Sequence, residues 1–211
     1  MALVAVGLSG CSQEPEEPPA PAATSAARVC DGAFDAPAAK ALERIGGTEG
    51  FYEAAGETSD GERRTFAFSR AAASLRSGPP KYTGCAIRRA NAGKDSRPIS
   101  FWIEARERPP RKEDAGGEPD SVAYYPLGVH AETRDGDSAL LFFRCRTGNT
   151  ERSYPYLAVQ MVDLSTESAE RTTSRDRMTV LASFSRTLAD SMGCADEARL
   201  PQQVPAPGTP W

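Results

Sequence analysis

Reactive side chains are few in this chain, and their spacing narrows the chemistry quickly. Cysteines stand at Cys11, Cys30, Cys85, Cys145 and Cys194, beside a single histidine, His130. The cysteines include no Cys-x-x-Cys pair, which argues against a zinc site or a thioredoxin-like redox pair. A Ser-His-Asp arrangement would have to use His130, and no Gly-x-Ser-x-Gly elbow accompanies it. Glu132, Asp135 and Asp137 are close to His130 in sequence, but one imidazole with scattered carboxylates falls short of a defined metal site. A surface-strand histidine is the simpler reading. Acidic residues are too widespread for any pair to stand out as a glycosidase couple. Neither a Gly-x-Gly-x-x-Gly fingerprint nor a P-loop occurs. The chain is therefore not expected to be an enzyme, and it implies no cofactor and no metal.

Cys11 carries a different chemistry. Leu8-Ser9-Gly10-Cys11 follows the apolar run Ala2-Leu3-Val4-Ala5-Val6-Gly7 and resembles a bacterial lipobox. In such a box, small residues admit a peptidase that cuts just before a cysteine bearing diacylglycerol. The following Ser12-Gln13-Glu14-Pro15-Glu16-Glu17-Pro18-Pro19 cannot pack as a core, which argues against an ordinary buried strand. The first cation is Arg28, so no basic n-region precedes the apolar run. The translated start is therefore expected upstream of Met1. Two acyl chains on Cys11 would hold the protein stably at a bilayer, where one chain holds only marginally.

With Cys11 set aside, an even number of cysteines remains, and in an exported chain that reads as two disulfides. Three pairings are open. The favoured one, Cys30–Cys85 with Cys145–Cys194, closes each half of the domain. Its chief rival, Cys30–Cys194 with Cys85–Cys145, ties the two ends together.

The elements that must position these residues follow from periodicity. Asp35 can cap a helix that tolerates Pro37 in its first turn, buries Ala38, Leu42 and Ile45, and stops at Gly46-Gly47. A second helix is expected over about 65–76, through Phe68, Ala71, Ala72 and Leu75, and a third over about 174–192. The third buries Met178, Leu181, Phe184, Leu188 and Met192, with Gly193 at its exit. Strands are expected at Tyr82 to Arg88, Ile99 to Ala105, Leu127 to Ala131, Ala139 to Cys145 and Leu157 to Met161. Asp135-Gly136 signals a hairpin, and Leu140 to Phe143 suggests a strand buried on both faces. The result is an α+β domain: a mostly antiparallel sheet of about five strands, with helices packed on one face and two disulfides.

Domain organisation follows from composition. Residues 1–10 read as a signal-peptide remnant, and 11–27 as the lipidated cysteine with a disordered Pro/Glu/Ala-rich spacer. Residues 28–200 read as a single α+β domain, and 201–211 as a disordered Pro-rich tail. Without the spacer glutamates, 25 bases face 26 acids, so no electrostatic footprint for nucleic acid exists. Arg88-Arg89 and the stretch from Arg108 to Lys112 have acids nearby and read as solvated mixed-charge surface. Tyr124, Tyr125, Tyr154 and Tyr156, at strand starts, are candidate binding aromatics. The alternative sends half of them into the core and packs the rest at its rim.

Leu8-Ser9-Gly10-Cys11, Val29-Cys30-Asp31-Gly32, the strand 139–145 and the ending 188–194 together resemble the small exported lipoproteins of streptomycete-type actinobacteria. The resemblance implies a location, the extracytoplasmic face of the cell membrane, and no particular activity. The expected function is a lipid-anchored envelope protein acting as a non-enzymatic interaction or ligand-binding module, with an envelope protein or wall polymer as partner. The alternative is a cell-envelope hydrolase or transferase whose acidic residues converge only in the fold. Intact mass of the native protein from its membrane fraction tests the anchor. The expected species lacks residues 1–10, carries a diacylglyceryl group and gains four hydrogens on reduction. An unlipidated mass with free thiols would contradict export.

Overall fold

A computed structural model describes residues 22–57, 63–77, 81–93, 96–111, 122–134, 137–148, 153–164 and 173–208. Among the described residues ten strands are formed: β1 (Thr24–Ser25), β2 (Gly50–Glu53), β3 (Gly56–Glu57), β4 (Arg63–Arg64), β5 (Lys81–Arg89), β6 (Ile99–Arg106), β7 (Val122–Tyr124), β8 (His130–Arg134), β9 (Ser138–Gly148) and β10 (Ser153–Asp163). Helices α1 (Ala36–Gly46), α2 (Phe68–Ser77), α3 (Ser174–Met192) and α4 (Ala195–Ala198) complete the α+β domain. The main sheet has eight strands in the order β1-β2-β5-β6-β10-β9-β8-β7, all neighbours antiparallel, and β3-β4 forms a separate two-stranded ribbon. The expected count of about five strands is too low. The additional β1, β2, β3, β4 and β7 have two to four residues each, too few to show alternation.

Period-two patterning divides the sheet into two faces. Ile99, Phe101, Ile103 and Ala105 of β6, Leu157, Val159 and Met161 of β10, and Ala139, Leu141 and Phe143 of β9 point inward and are buried. The helices occupy that side. Phe184 of α3 stacks on Phe101 with ring centroids 4.8 Å apart, and Phe68, Phe66 and Phe34 close round it at 5.1, 5.5 and 6.4 Å. Helix ends follow local chemistry. Asp35 accepts from the Ala38 N–H at 3.0 Å, and Gly47 ends α1 in the left-handed region at φ 61°. Thr173 and Asp176 cap α3 reciprocally, and Gly193 ends it.

Both disulfides bridge the helix side to the sheet. Cys30 bonds to Cys85 of β5, and Cys145 of β9 bonds to Cys194 at the exit of α3. Cys30 lies in a short turn, Val29–Gly32, where Cys30, Asp31 and Gly32 take φ of 54°, 59° and 72°. Non-glycine residues in that region need outside support. The disulfide supplies part of it. Asp31 adds more by accepting from the Phe68 N–H at 3.0 Å, and Glu53 accepts from the Cys30 N–H at 2.8 Å. A buried ion pair, Arg89 to Asp163 at 2.6 Å, closes the far end of the core.

Three boundaries differ from expectation. Residues 22–27, assigned to the spacer, contribute β1 and the fully buried Ala26. The strand expected from Leu127 forms instead at His130–Arg134, because Gly128, with φ of 62°, turns the chain just before it. Residues 201–208, expected as a loose tail, are docked. Val204 is buried, the Pro201 and Val204 carbonyls accept from Arg186 and Arg175, and the Gly208 N–H donates to the Tyr124 carbonyl at 2.9 Å.

Phe184→Ala is expected to cost about 3–5 kcal/mol by removing the ring that joins helices to sheet. Urea unfolding checks this, and a loss below about 1 kcal/mol would show that the aromatic cluster is not the organising contact.

Candidate functional site

The other face of the sheet carries none of the described helices. There the strand register sets side chains in rows. One row runs Glu104, Ala158, Phe142, His130; the next runs Trp102, Gln160, Leu140, Glu132, Tyr124. A third joins Arg106, Tyr156 and Arg144. Trp102, Leu140, Phe142 and Ala158 line a groove of about 300 Å³, with Glu104, Arg106 and Gln160 completing it. Arg106 and Glu104 pair at 2.8 Å along β6. The groove therefore has an apolar floor and hydrogen-bonding edges.

Beside this groove lies a buried polar chain. His130 Nε2 and Glu132 Oε2 are 3.1 Å apart, and Arg134 Nε donates to Glu132 Oε1 at 2.7 Å. His130 and Glu132 are only 5% and 2% exposed, which corrects the expectation of a surface histidine. The neighbouring rings of Tyr124 and Phe142 flank the imidazole at 6.0 and 6.3 Å. Burial alone would raise the Glu132 pKa. The hydrogen bonds from His130 and Arg134, with the Arg134 charge, outweigh it and hold the carboxyl below its ordinary value.

A larger cavity, about 630 Å³, opens at the end of β9. Arg144 and Arg146 point outward on either side of Cys145, whose sulfur turns inward to Cys194. That bridge holds α4 against β9, so Asp196, Glu197 and Arg199 face the two strand arginines across the cavity. Gly128 and Val129 form another wall. Any side chain at Gly128 would put its Cβ 2.3 Å from the Phe142 carbonyl oxygen, so only glycine allows this wall to approach β9. Five arginines elsewhere pair with carboxylates: Arg44 with Asp176, Arg89 with Asp163, Arg106 with Glu104, Arg134 with Glu132 and Arg186 with Asp35. Among the described residues, the side chains of Arg144, Arg146 and Arg199 make no hydrogen bond or ion pair.

Alternation separates Tyr124 from Tyr125, and the register shift between Tyr154 and Tyr156 puts those two on opposite sides. Tyr124 and Tyr156 stand half-buried on the outer face, within the rows above. Tyr125 and Tyr154 are buried on the core side, at 4% and 7% exposure. Burial pushes the Tyr125 phenol above its ordinary pKa, although its hydroxyl donates to Ser174 Oγ at 2.9 Å. Tyr125 and Tyr154 thus belong to the core, as the alternative of core and rim packing expects of half of the tyrosines. Cys11 lies outside the described residues. Trp102, Phe142 and the three cavity arginines escape sequence reasoning. Arg144-Cys145-Arg146 carries the one available signal, since a strand whose cysteine faces the core must turn both flanking arginines outward. Among the described residues, no three His, Cys, Asp or Glu side chains gather as a metal site. No family model, curated protein or solved structure matches the chain.

The lowered Glu132 pKa has a definite sign. Its contribution is complete above the unfolded carboxyl pKa of about 4.3 and is lost as pH falls through the lower folded value. Stability should therefore decline on the acid side. Glu132→Gln should cost roughly 1–3 kcal/mol near pH 7 and flatten that decline. Denaturant midpoints from pH 7 down to acid test both effects. An unchanged acid slope in the variant would show that Glu132 does not carry them.

Proposed function

We propose that this chain is a lipid-anchored extracytoplasmic envelope protein whose domain is a non-enzymatic binding module, and that the outer sheet face is its working surface. The groove at Trp102, Leu140, Phe142 and Ala158 carries the reading. Apolar surface on central strands, edged by a few polar groups, is the usual construction of a ligand site. Here the groove crosses β6, β10 and β9, so it suits an extended ligand, and of the envelope partners considered a wall polymer fits best. Trp102 offers a flat apolar platform, while Glu104, Arg106 and Gln160 supply hydrogen bonds for hydroxyl-rich units.

The location rests on the lipobox resemblance, with support from the two cysteine pairs at bonding distance. Among the described residues, no helix is long and apolar enough to cross a membrane. Membrane attachment in this reading is therefore left to the acylated Cys11.

Sedimentation with purified cell-wall sacculi tests the binding reading. The protein should pellet with the sacculi, and Trp102→Ala should weaken retention roughly tenfold while leaving thermal unfolding nearly unchanged. No pelleting, or equal pelleting of protein and variant, would overturn it.

A further inference from the structure

We propose that the cavity at the end of β9 is a subsite for a hydroxylated monoanion, a sugar carboxylate, so that the ligand of the sheet face is an anionic glycan. The inference rests on the binding reading above and names its ligand class. Three observations carry it.

The first is the cations themselves. Among the described residues five arginines have carboxylate partners, while the side chains of Arg144, Arg146 and Arg199 have none; Arg28 and Arg97 also lack one, but they do not line the cavity. All three converge on one cavity of about 630 Å³, within the range of roughly 300–1,000 Å³ common for small-ligand sites. A guanidinium grips a carboxylate through two parallel N–H bonds, an arrangement an ammonium cannot offer.

The second is the local charge balance. Asp196 and Glu197 share the cavity with the three arginines, leaving a single positive charge on the lining. That balance suits a ligand unit with one negative charge and opposes a pyrophosphate or phosphate monoester, which would repel the two carboxylates. Those carboxylates are acceptors for ligand hydroxyls. The lining thus asks for an acid and hydroxyls on the same small unit, as a sugar carboxylate provides.

The third is continuity. Tyr156 pairs in register with Arg106 on one side and Arg144 on the other. Arg106 belongs to the groove and Arg144 to the cavity. A chain lying over Trp102 can therefore pass Tyr156 and place its acidic unit among the arginines without leaving the sheet.

Calorimetric titration of the full chain at low salt tests the proposal, using trigalacturonate, its neutral galactose counterpart and a glycerol phosphate oligomer. Trigalacturonate should bind, more weakly as salt rises, and roughly tenfold or more weakly to the Arg144→Gln, Arg146→Gln double variant. Both positions are exposed, so the variant should keep its thermal unfolding midpoint. Tighter binding of the phosphate oligomer with the same arginine dependence would overturn the sugar carboxylate and put a phosphodiester in its place. Uronate binding indifferent to both substitutions would overturn the inference. So would a neutral sugar that binds as tightly as the acid, although the sheet face would then stand as a neutral-glycan site. If none of the probes binds, the inference falls, and sacculus sedimentation decides separately whether the face binds wall material.

Discussion

The structure depends on one buried ring. Phe184 is fully buried and stacks on Phe101 with an interplanar angle of 11°. The residue belongs to the longest helix, and its neighbours come from the segment after the Cys30 turn, from the approach to α2 and from α2 itself. Three separate stretches of chain are therefore tied to the sheet through a single side chain. Aromatic pairs of this kind add about 0.5–1.5 kcal/mol each beyond the area they bury. The described helices are gathered on this inner face, and none of them covers the opposite one. The groove and the arginine cavity are consequences of that asymmetry.

Polar devices then lock what the hydrophobic layer sets. Each disulfide fastens one flank of the helix layer to a different strand, β5 or β9. Glu53 accepts from the Cys30 and Phe66 backbone N–H groups, so one carboxylate fixes both the strained turn and the approach to α2. Asp35 caps α1 and also pairs with Arg186 of α3 at 2.5 Å. Ser183 of α3 adds bonds to the Asp35 N–H and the Ala33 carbonyl. The Cys145–Cys194 bridge has a second effect. It fixes α4 beside β9, and the spacing between Arg199 and the strand arginines depends on it.

Helix chemistry was legible because it is local. The third helix is expected over about residues 174–192 and occupies Ser174–Met192, since its apolar stripe and terminal glycine agree. The long strands β5, β6, β9 and β10 were legible for the same reason. Short β1, β2 and β7 were not, because strands of two to four residues are defined by their partners. Docking of residues 201–208 was equally hidden, since it depends on carbonyls meeting distant arginines. For the site, Trp102 could be read as alternating with the core residues of β6, but its neighbours Ala158 and Phe142 depend on register. The cavity was harder still. Arg144 and Arg146 come from one strand and Arg199 from beyond a disulfide whose pairing the sequence left open.

The central claim is that the outer sheet face does the binding while the helix face only builds the fold. Side-chain NMR of the protein titrated with solubilised wall fragments tests it most directly. The account predicts shifts of the Trp102 indole N–H and the Ala158 methyl, with the exposed methyls of Ala36 on α1 and Ala73 on α2 unmoved. Shifts centred on Ala36 and Ala73, with Trp102 and Ala158 silent, would contradict it.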